Sequence, residues 1–380
     1  MSPEEAVKLV RQLQEAANSH NVSRLMELYA DDAVAVSPVF GEVKGRAAIA
    51  RTFERLFATL PDCAFELSDA IAGDDRIAIL GTVAGTDRIG WFGLPPTGGP
   101  VRYRLTILCT LAGGKITRDE RLYDAAGVVE RLEKARLDEE LRTAAEVQSA
   151  LLPRTANAGL YWEAAGDSIP CRAIGGDFFQ FIELPAGRFG VALGDVAGKG
   201  TPAALLAAML QGMFAAGVQA GHGPAETLHR TNLELVARNQ GSRFATLVYG
   251  ILSPDGQFAY SNAGHNPPAL LTRRGVHRLT SGGPPLGLFA AAAFEEATLR
   301  LDAQDTLLMF SDGVTEACDA RGEEFGEERL LASAAAHLGS TPVEMIERIL
   351  ADVREFCGPT RQADDITVAV TRFRQPNSQV

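Results

Sequence analysis

Between residues 156 and 374, aspartates repeatedly stand at the ends of apolar strands, usually beside glycine. The four instances are Gly175-Gly176-Asp177, Gly194-Asp195, Ser311-Asp312-Gly313 and Ala363-Asp364-Asp365. A single Asp–Gly pair after a strand is commonly only a turn. Four aspartates at strand ends constrain the fold much more, because carboxylates at strand ends can converge at one edge of a sheet, where loops expose them. The pattern therefore predicts sheets whose ends form a common acidic site.

Carboxylates gathered in this way repel one another and have raised pKa values, and a divalent cation removes that cost. An all-oxygen ligand set suits Mg²⁺, Mn²⁺ or Ca²⁺ better than Zn²⁺, and the sequence has no H-x-x-x-H and no paired cysteines. Two such cations can share a hydroxide and hold a phosphoryl group for in-line attack. The residues therefore predict hydrolysis of a phosphate ester by metal-bound water.

Other phosphate and ester chemistries have less support in this sequence. The segment 194–200, GDVAGKG, lacks the spacing of a Walker loop, and there is no G-x-S-x-G motif. None of the five cysteines begins a Cys-x5-Arg loop, so a cysteinyl-phosphate mechanism has no candidate.

The same region combines short apolar strands with a few helices, without simple alternation. The clearest strands are predicted at Phe189–Leu193, Thr246–Leu252, Phe258–Asn262, Thr306–Phe310 and Ile366–Val370. Helices are predicted near 202–216, 225–239, 326–337 and 342–356. This order favours mostly antiparallel sheets covered by helices over a doubly wound parallel sheet. The uncharged stretch 200–225 is long enough for a membrane span, but its Ala and Gly content favours a buried core helix.

Two further regions precede this one. Residues 128–152 contain no Gly or Pro and are predicted to form one helix, stopped by Pro153. A 4-3-4-3 spacing places Leu137, Leu141, Ala144, Gln148 and Leu151 on one seam, which leaves open a parallel dimeric coiled coil or a single solvated helix. Residues 1–127 have helical periodicity first and then strands at Ile77–Val83, Arg102–Leu111 and Lys115–Tyr123, which predicts helices packed on a curved antiparallel sheet.

Composition excludes several classes of protein. A net charge of −12 argues against a broad nucleic-acid-binding surface, which needs clustered Lys and Arg. The widely spaced cysteines 63, 109, 171, 318 and 357 indicate a reducing, cytoplasmic environment. The acidic amphipathic start MSPEEAVKLV is not that of a signal peptide.

Seven ordered motifs across residues 156–374 resemble the metal-dependent Ser/Thr protein phosphatases, in the branch related to sporulation stage II protein E. They are GGDFFQF, GDVAGKGTPAAL, FATLVYG, YSNAGHNPP, PPLGLF, LLMFSDGVTEA and ADDITVAV. The resemblance implies an α-β-β-α sandwich of two antiparallel sheets with two Mn²⁺ or Mg²⁺ ions at one end. It also implies hydrolysis of phosphoserine or phosphothreonine by a metal-bridging hydroxide, usually on an anti-sigma-factor antagonist.

Carried over by motif, Asp195 resembles the carboxylate that bridges both metals, and Asp195 and Asp312 are the expected catalytic residues. Asp177 and the Val196 carbonyl would serve one metal, whereas Asp312 and Asp364 would hold the other. Asp365 is expected to orient Asp364 or a water.

Three positions extend or depart from this pattern. Gln180 stands where the family often has Asp, and Lys199 where many relatives have His. Lys199 is either a phosphate contact or a solvated loop residue. His265 fits its motif, and a structural role bonding a turn is favoured over a general acid.

Residues 6–127 resemble the SnoaL-like, nuclear-transport-factor-2-like cone fold, an α+β domain with a pocket. The segments that carry this are NSHNVSRLMELYADDAVAVSP, GRAAIARTF, GLPPTGGPVRYR and GGKITRDERLYD. Trp91, Phe92 and Tyr103 are candidate pocket residues for a small-molecule ligand. Asp124 is a candidate acid, because some relatives are cyclases with an acid nearby.

The predicted organisation is a sensor or dimerisation domain at 1–127, a helical linker at 128–155 and a phosphatase domain at 156–374, in a cytoplasmic homodimer that binds neither nucleic acid nor membrane. Ligand binding or dimer rearrangement would then twist the linker and order the metal site. Two alternatives stay open: a cyclase or hydratase activity in the N-terminal domain, and a non-catalytic scaffold with a phosphatase fold.

Overall fold

The computed structural model describes residues 2–91, 94–153, 156–239 and 243–375. The chain divides into two compact units, Met1–Glu140 and Leu141–Val380. This division falls within a helix, α4 (Ala125–Leu151), that covers most of the predicted linker. The domain limits at 127 and 155 stay predictions.

The N-terminal unit is a curved six-stranded sheet with helices packed on it. Its helices are α1 (Pro3–Asn18), α2 (Val22–Met26) and α3 (Arg46–Thr59). Its strands are β1 (Tyr29–Ser37), β2 (Gly41–Lys44), β3 (Ala64–Ala72), β4 (Arg76–Thr86), β5 (Pro100–Ala112) and β6 (Lys115–Leu122). The strand order is β2-β1-β6-β5-β4-β3, antiparallel throughout except for the parallel pair β1–β6. One apolar core lies between sheet and helices and includes Val128 and Leu132 from the start of α4.

The C-terminal unit has two sheets. One, in the order β15-β12-β11-β10-β9 with β16 beside β12, is built from β9 (Phe178–Glu183), β10 (Phe189–Val196), β11 (Ala245–Leu252), β12 (Gln257–Ala263), β15 (Gly282–Gly283) and β16 (Ala297–Arg300). The other, in the order β14-β13-β17-β18-β8-β7, is built from β7 (Ala156–Ala158), β8 (Trp162–Ile169), β13 (Ala269–Thr272), β14 (Gly275–Arg278), β17 (Thr306–Phe310) and β18 (Ile366–Phe373). All neighbours are antiparallel except β12 and β15.

Helices cover both outer faces of this pair of sheets. They are α5 (Thr201–Val218), α6 (Pro224–Asn239), the single turn α7 (Asp312–Thr315), α8 (Gly326–Ala336) and α9 (Pro342–Cys357). One apolar cluster joins the two sheets, a second joins α5 and α6 to the first sheet, and a third joins α8 and α9 to the other. The predicted α+β class with a C-terminal α-β-β-α sandwich is therefore confirmed.

The uncharged stretch after Gly200 forms α5. Among the described residues it is the one helix long and apolar enough to cross a membrane. Its buried face, which includes Ala203, Ala207, Leu210 and Phe214, packs into the core that α5 shares with the sheet. The structure thus places this segment as a core helix of the C-terminal unit.

Candidate metal centre

Antiparallel pairing brings the first two acids together. Gly194 of β10 lies opposite Phe178 of β9, so the end of β10 is beside the start of β9. Asp177 immediately precedes β9, and Asp195 is the penultimate residue of β10. A carboxylate at the start of one strand therefore meets a carboxylate at the end of its neighbour.

The second sheet repeats this arrangement at its own edge. Phe310, the last residue of β17, pairs with Val368 of β18. Asp312 opens α7 two residues after β17 ends, and Asp364 lies two residues before β18 begins. Asp195 interacts electrostatically with both of these acids as well as with Asp177. The four predicted ligands thus come from both sheets and converge.

Burial and mutual repulsion dominate the electrostatics of this cluster. Burial, and then the neighbouring charge of Asp195, raise the pKa of Asp177 well above its ordinary value. Burial and the charge of Asp312 raise the pKa of Asp195 to about 6. The pKa of Asp312 is also raised, by burial and by Asp364. The group is therefore a concentration of negative charge that a cation would stabilise.

Two glycines allow the backbone to approach the acids closely. A Cβ atom at Gly176 would lie 2.9 Å from the Val196 carbonyl oxygen and 3.4 Å from Asp195 Oδ1. A Cβ atom at Gly313 would lie 2.0 Å from the Asp365 carbonyl oxygen. A side chain at either position would clash, so both glycines are required for close approach next to the candidate ligands.

Asp365 has a task beyond the one predicted from sequence. Its Oδ1 accepts a hydrogen bond from Cys171 N and its Oδ2 accepts one from Gly176 N, both at 2.7 Å. Asp365 therefore holds the loop that leads to Asp177, and its backbone N–H donates to Asp364 Oδ1 at 2.9 Å, which agrees with the expectation that Asp365 orients Asp364. Cys171 Sγ also lies within 4.8 Å of carboxylate oxygens of Asp364 and Asp365, a proximity that no sequence spacing indicated.

Lys199 faces the cluster as an ion-pair partner. Its ammonium is 2.7 Å from Asp364 Oδ2 and donates to the Ala363 carbonyl at 2.7 Å. The hydrogen bond to Asp364 raises the pKa of Lys199. A cavity of about 370 Å³ adjoins this pair and is lined also by Gly313 and Arg361. The candidate centre therefore opens onto a space with a cationic side chain at its border.

His265 and Gln180 lie inside the fold. His265 Nε2 donates to the Phe310 carbonyl at 3.1 Å, and Nδ1 accepts from Thr246 Oγ1 at 2.8 Å. Burial lowers the pKa of His265 to about 4, so the ring is neutral near pH 7. This arrangement fits a structural histidine. Gln180 faces α5, where its amide contacts the Gln211 carbonyl at 3.5 Å.

The donor set fits hard divalent cations. Asp177 Oδ2 is buried and has no hydrogen-bond partner among the described residues. An orphaned buried carboxylate oxygen is costly unless it is protonated or bound to a cation. The other donors are carboxylate oxygens and one backbone carbonyl, the ligands that Mg²⁺, Mn²⁺ and Ca²⁺ take.

The N-terminal unit encloses a second candidate site, a cavity of about 80 Å³ lined mostly by apolar and aromatic side chains. Asp119 is 1% exposed at its wall, and its Oδ2 accepts hydrogen bonds from Tyr29 Oη at 2.7 Å and from Arg121 Nη2 at 2.7 Å. The Arg121 guanidinium stacks over Phe53 at 4.3 Å. Asp119 Oδ1 accepts no hydrogen bond from any residue in the described part of the chain. The cavity thus combines an apolar wall with one unused acceptor.

Two of the predicted pocket residues, Trp91 and Tyr103, line this cavity, with their ring centroids 5.5 Å apart. Phe92 lies outside the described residues. Asp124 does not line the cavity: its side chain is exposed and accepts from Gly127 N at 2.9 Å at the start of α4. The prediction of Asp124 as the pocket acid is therefore wrong, and Asp119 occupies that position.

Family comparison agrees with both units. Residues 185–374, half of the chain, match the family described as Stage II sporulation protein E (SpoIIE), and residues 10–119 match the SnoaL-like domain. The chain therefore belongs to the SpoIIE family and carries a SnoaL-like domain ahead of its PP2C-type phosphatase domain.

Relatives of known sequence or structure match the C-terminal part. Phosphoserine phosphatase RsbU of Bacillus subtilis is 28% identical over 239 residues, which cover 61% of this chain and 70% of RsbU. Protein IcfG of Synechocystis sp. is 27% identical over 263 residues, which cover 61% of this chain but only 41% of IcfG. The SiaA-PP2C domain of Pseudomonas aeruginosa superposes with a TM-score of 0.57 at 21% identity, covering 63% of this chain and 98% of that domain, and so shares the fold.

Proposed function

We propose that this protein is a metal-dependent phosphoprotein phosphatase that hydrolyses phosphoserine or phosphothreonine. The observation that carries the proposal is the convergence of Asp177, Asp195, Asp312 and Asp364 around a buried carboxylate oxygen with no partner among the described residues. The similarity to RsbU, named a phosphoserine phosphatase, supports the same reaction.

In this proposal two Mn²⁺ or Mg²⁺ ions share the acids of the cluster. Asp195 would contact both ions, Asp177 and the Val196 carbonyl one of them, and Asp312 and Asp364 the other. When bound, the ions lower the pKa of a water molecule and neutralise charge on the phosphoryl group.

The side chains around the cluster then have separate tasks. Asp365 fixes the loop that carries Asp177 through its bonds to Cys171 and Gly176. Lys199, now paired with Asp364, stands where it can attract a phosphate oxygen while the carboxylate turns to a cation. The adjoining cavity gives room for the polypeptide on either side of the phosphorylated residue. We propose an anti-sigma-factor antagonist as that polypeptide, in line with the family resemblance.

The metal requirement is the direct test of this function. Dialysis against EDTA should abolish hydrolysis of p-nitrophenyl phosphate, and Mn²⁺ or Mg²⁺ should restore it, because only a cation can bring the repelling acids into a reactive arrangement. Release of inorganic phosphate is the measurement, with Zn²⁺ as the poorly matched control. Hydrolysis that continues undiminished in EDTA would contradict the proposal.

We further propose that the N-terminal cavity binds a small molecule with an apolar body and one hydrogen-bond donor. Tyr29 and Arg121 occupy Oδ2 of Asp119, whereas the buried Oδ1 is left for a ligand. Binding there would regulate the phosphatase, in a cytoplasmic homodimer joined along α4, where Leu137 and Leu151 are exposed.

Removal of residues 1–127 tests this regulation. We expect the truncated protein to lose part of its dimerisation, measured by analytical ultracentrifugation, and to change its rate of p-nitrophenyl phosphate hydrolysis severalfold, since α4 would no longer be held at its first turns. An unchanged rate together with an unchanged oligomeric state would exclude the regulatory role while leaving the phosphatase activity itself standing.

A further inference from the structure

The last turns of α4 contact the loop that leads into the candidate metal centre. Gln148 Nε2 donates to the Gly175 carbonyl at 2.7 Å, and Gln148 Oε1 accepts from Gly175 N at 3.1 Å. One side-chain amide therefore satisfies both backbone groups of a single buried glycine. Gln148 is one of the residues on the predicted coiled-coil seam. In the structure, however, its amide bonds a loop of the C-terminal unit.

Asp365 holds the same loop from its other side. Its carboxylate bonds Cys171 N and Gly176 N, and a Cβ atom at Gly175 would lie only 2.5 Å from Asp365 Oδ2. The loop is thus confined between Gln148 and Asp365, with no space for a side chain at Gly175. Asp177, with its unpartnered buried oxygen, follows two residues later, so a shift of Gly175 is carried along the backbone to this carboxylate.

A second glutamine anchors the same end of α4. Gln211 of α5 is 6% exposed, and its Nε2 donates to the Leu151 carbonyl at 2.8 Å. Farther back, residues 133–140 of α4 are all exposed. The final turns of α4 are therefore bonded to the Asp177 loop and to α5, whereas the side chains of residues 133–140 are exposed.

We propose that Gln148 is a positioning residue that fixes the Asp177 loop for metal binding. The inference rests on the proposed function of the acidic cluster. Glutamine suits this task because its terminal amide supplies both a hydrogen-bond donor and a hydrogen-bond acceptor. Glutamate would keep only the acceptor and would place negative charge against the Gly175 carbonyl, and methionine would keep the volume and lose both bonds.

The test compares Gln148→Met and Gln148→Glu with Gln257→Met in the full-length protein. Gln257 is exposed at the start of β12 and distant in sequence from every candidate ligand, so its replacement is the matched control. Mn²⁺ affinity is measured by isothermal titration calorimetry, and protection of the Gly175 and Gly176 amides by hydrogen exchange. Both Gln148 variants should bind Mn²⁺ roughly 10-fold more weakly and exchange these amides faster, with KM for p-nitrophenyl phosphate within about twofold of wild type.

Mn²⁺ affinity and amide protection equal to wild type in both Gln148 variants would overturn the proposal, as would an equal loss of affinity in Gln257→Met. Because calorimetry and exchange need no turnover, they decide the role of Gln148 even if the wild-type protein hydrolyses no phosphate ester. Absence of Mn²⁺-dependent hydrolysis in the wild type would instead contradict the proposed function.

Discussion

Replacing Asp195 by Asn is expected to lower metal-dependent hydrolysis of p-nitrophenyl phosphate roughly 1,000-fold, because the variant loses the carboxylate that we propose contacts both cations. Asp312→Asn should lose activity to a similar extent. Asp255→Asn, at an exposed turn between β11 and β12, is the control and should keep wild-type rates. Initial rates at saturating Mn²⁺ are the measurement. Near-wild-type turnover by Asp195→Asn would show that the acidic cluster takes no part in the hydrolysis.

The same substitution should stabilise the metal-free protein. The folded-state pKa of Asp195, about 6, lies above its ordinary value of 3.8, so the folded state binds more protons between these values and loses stability as pH rises through 6. At pH 8 in EDTA, Asp195→Asn should therefore raise the free energy of unfolding by about 1–3 kcal/mol. Below pH 4 the difference should vanish. Urea unfolding at both pH values measures it, and a destabilised variant at pH 8 would contradict the repulsion described above.

The second large effect is expected in the N-terminal unit, where Arg121→Met should cost about 3–5 kcal/mol of folding free energy. The Asp119 side chain is 1% exposed and that of Arg121 12% exposed, so removal of the cation strands a buried carboxylate. The double variant Asp119→Leu/Arg121→Met removes both charges and should recover most of the loss. The free energy of unfolding is measured by urea unfolding, together with hydrogen exchange of the amides in β5 and β6.

The control for this prediction lies on the same strand. Arg118 pairs with Glu120 at the surface, with the two side chains 43% and 34% exposed. Arg118→Met should change the free energy of unfolding by no more than about 1 kcal/mol, since water screens exposed pairs. An equal decrease in the free energy of unfolding in Arg118→Met and Arg121→Met would show that burial of the Asp119–Arg121 pair does not increase its contribution to stability.

Elements with strong apolar patterns were predictable from the sequence. The predicted strand Thr306–Phe310 coincides with β17, because five apolar or β-branched residues lie between Asp305 and Ser311. The sequence predicts that β10 ends at Leu193, whereas the strand continues to Val196 because its ladder with β11 extends across Gly194 and Asp195. The end of β10 is determined by its pairing with a strand distant in sequence, and the local sequence pattern does not indicate this pairing.

The acidic site could be predicted only in part, for a related reason. Aspartates at strand ends, three of them beside glycine, indicate Asp177, Asp195, Asp312 and Asp364, but the bonds from Asp365 to the loop at Cys171 join residues 194 positions apart. In the N-terminal unit, Asp119 and Arg121 lie two residues apart on β6, and from the sequence alone such charged residues would be placed at the surface. Only the packing of Tyr29 and Phe53 against them shows that this face is buried.

Asp177 and Asp195 lie at the edge of one sheet of the sandwich, whereas Asp312 and Asp364 lie at the edge of the other, so the two cations of the proposed site would link the two layers through Asp195. Cations can link the four acids only when the edges of the two sheets are aligned. Interior residues such as Phe179 and Met309, which pack the two layers together, would contribute to that alignment. Cations bound in the proposed site would therefore also stabilise the folded sandwich.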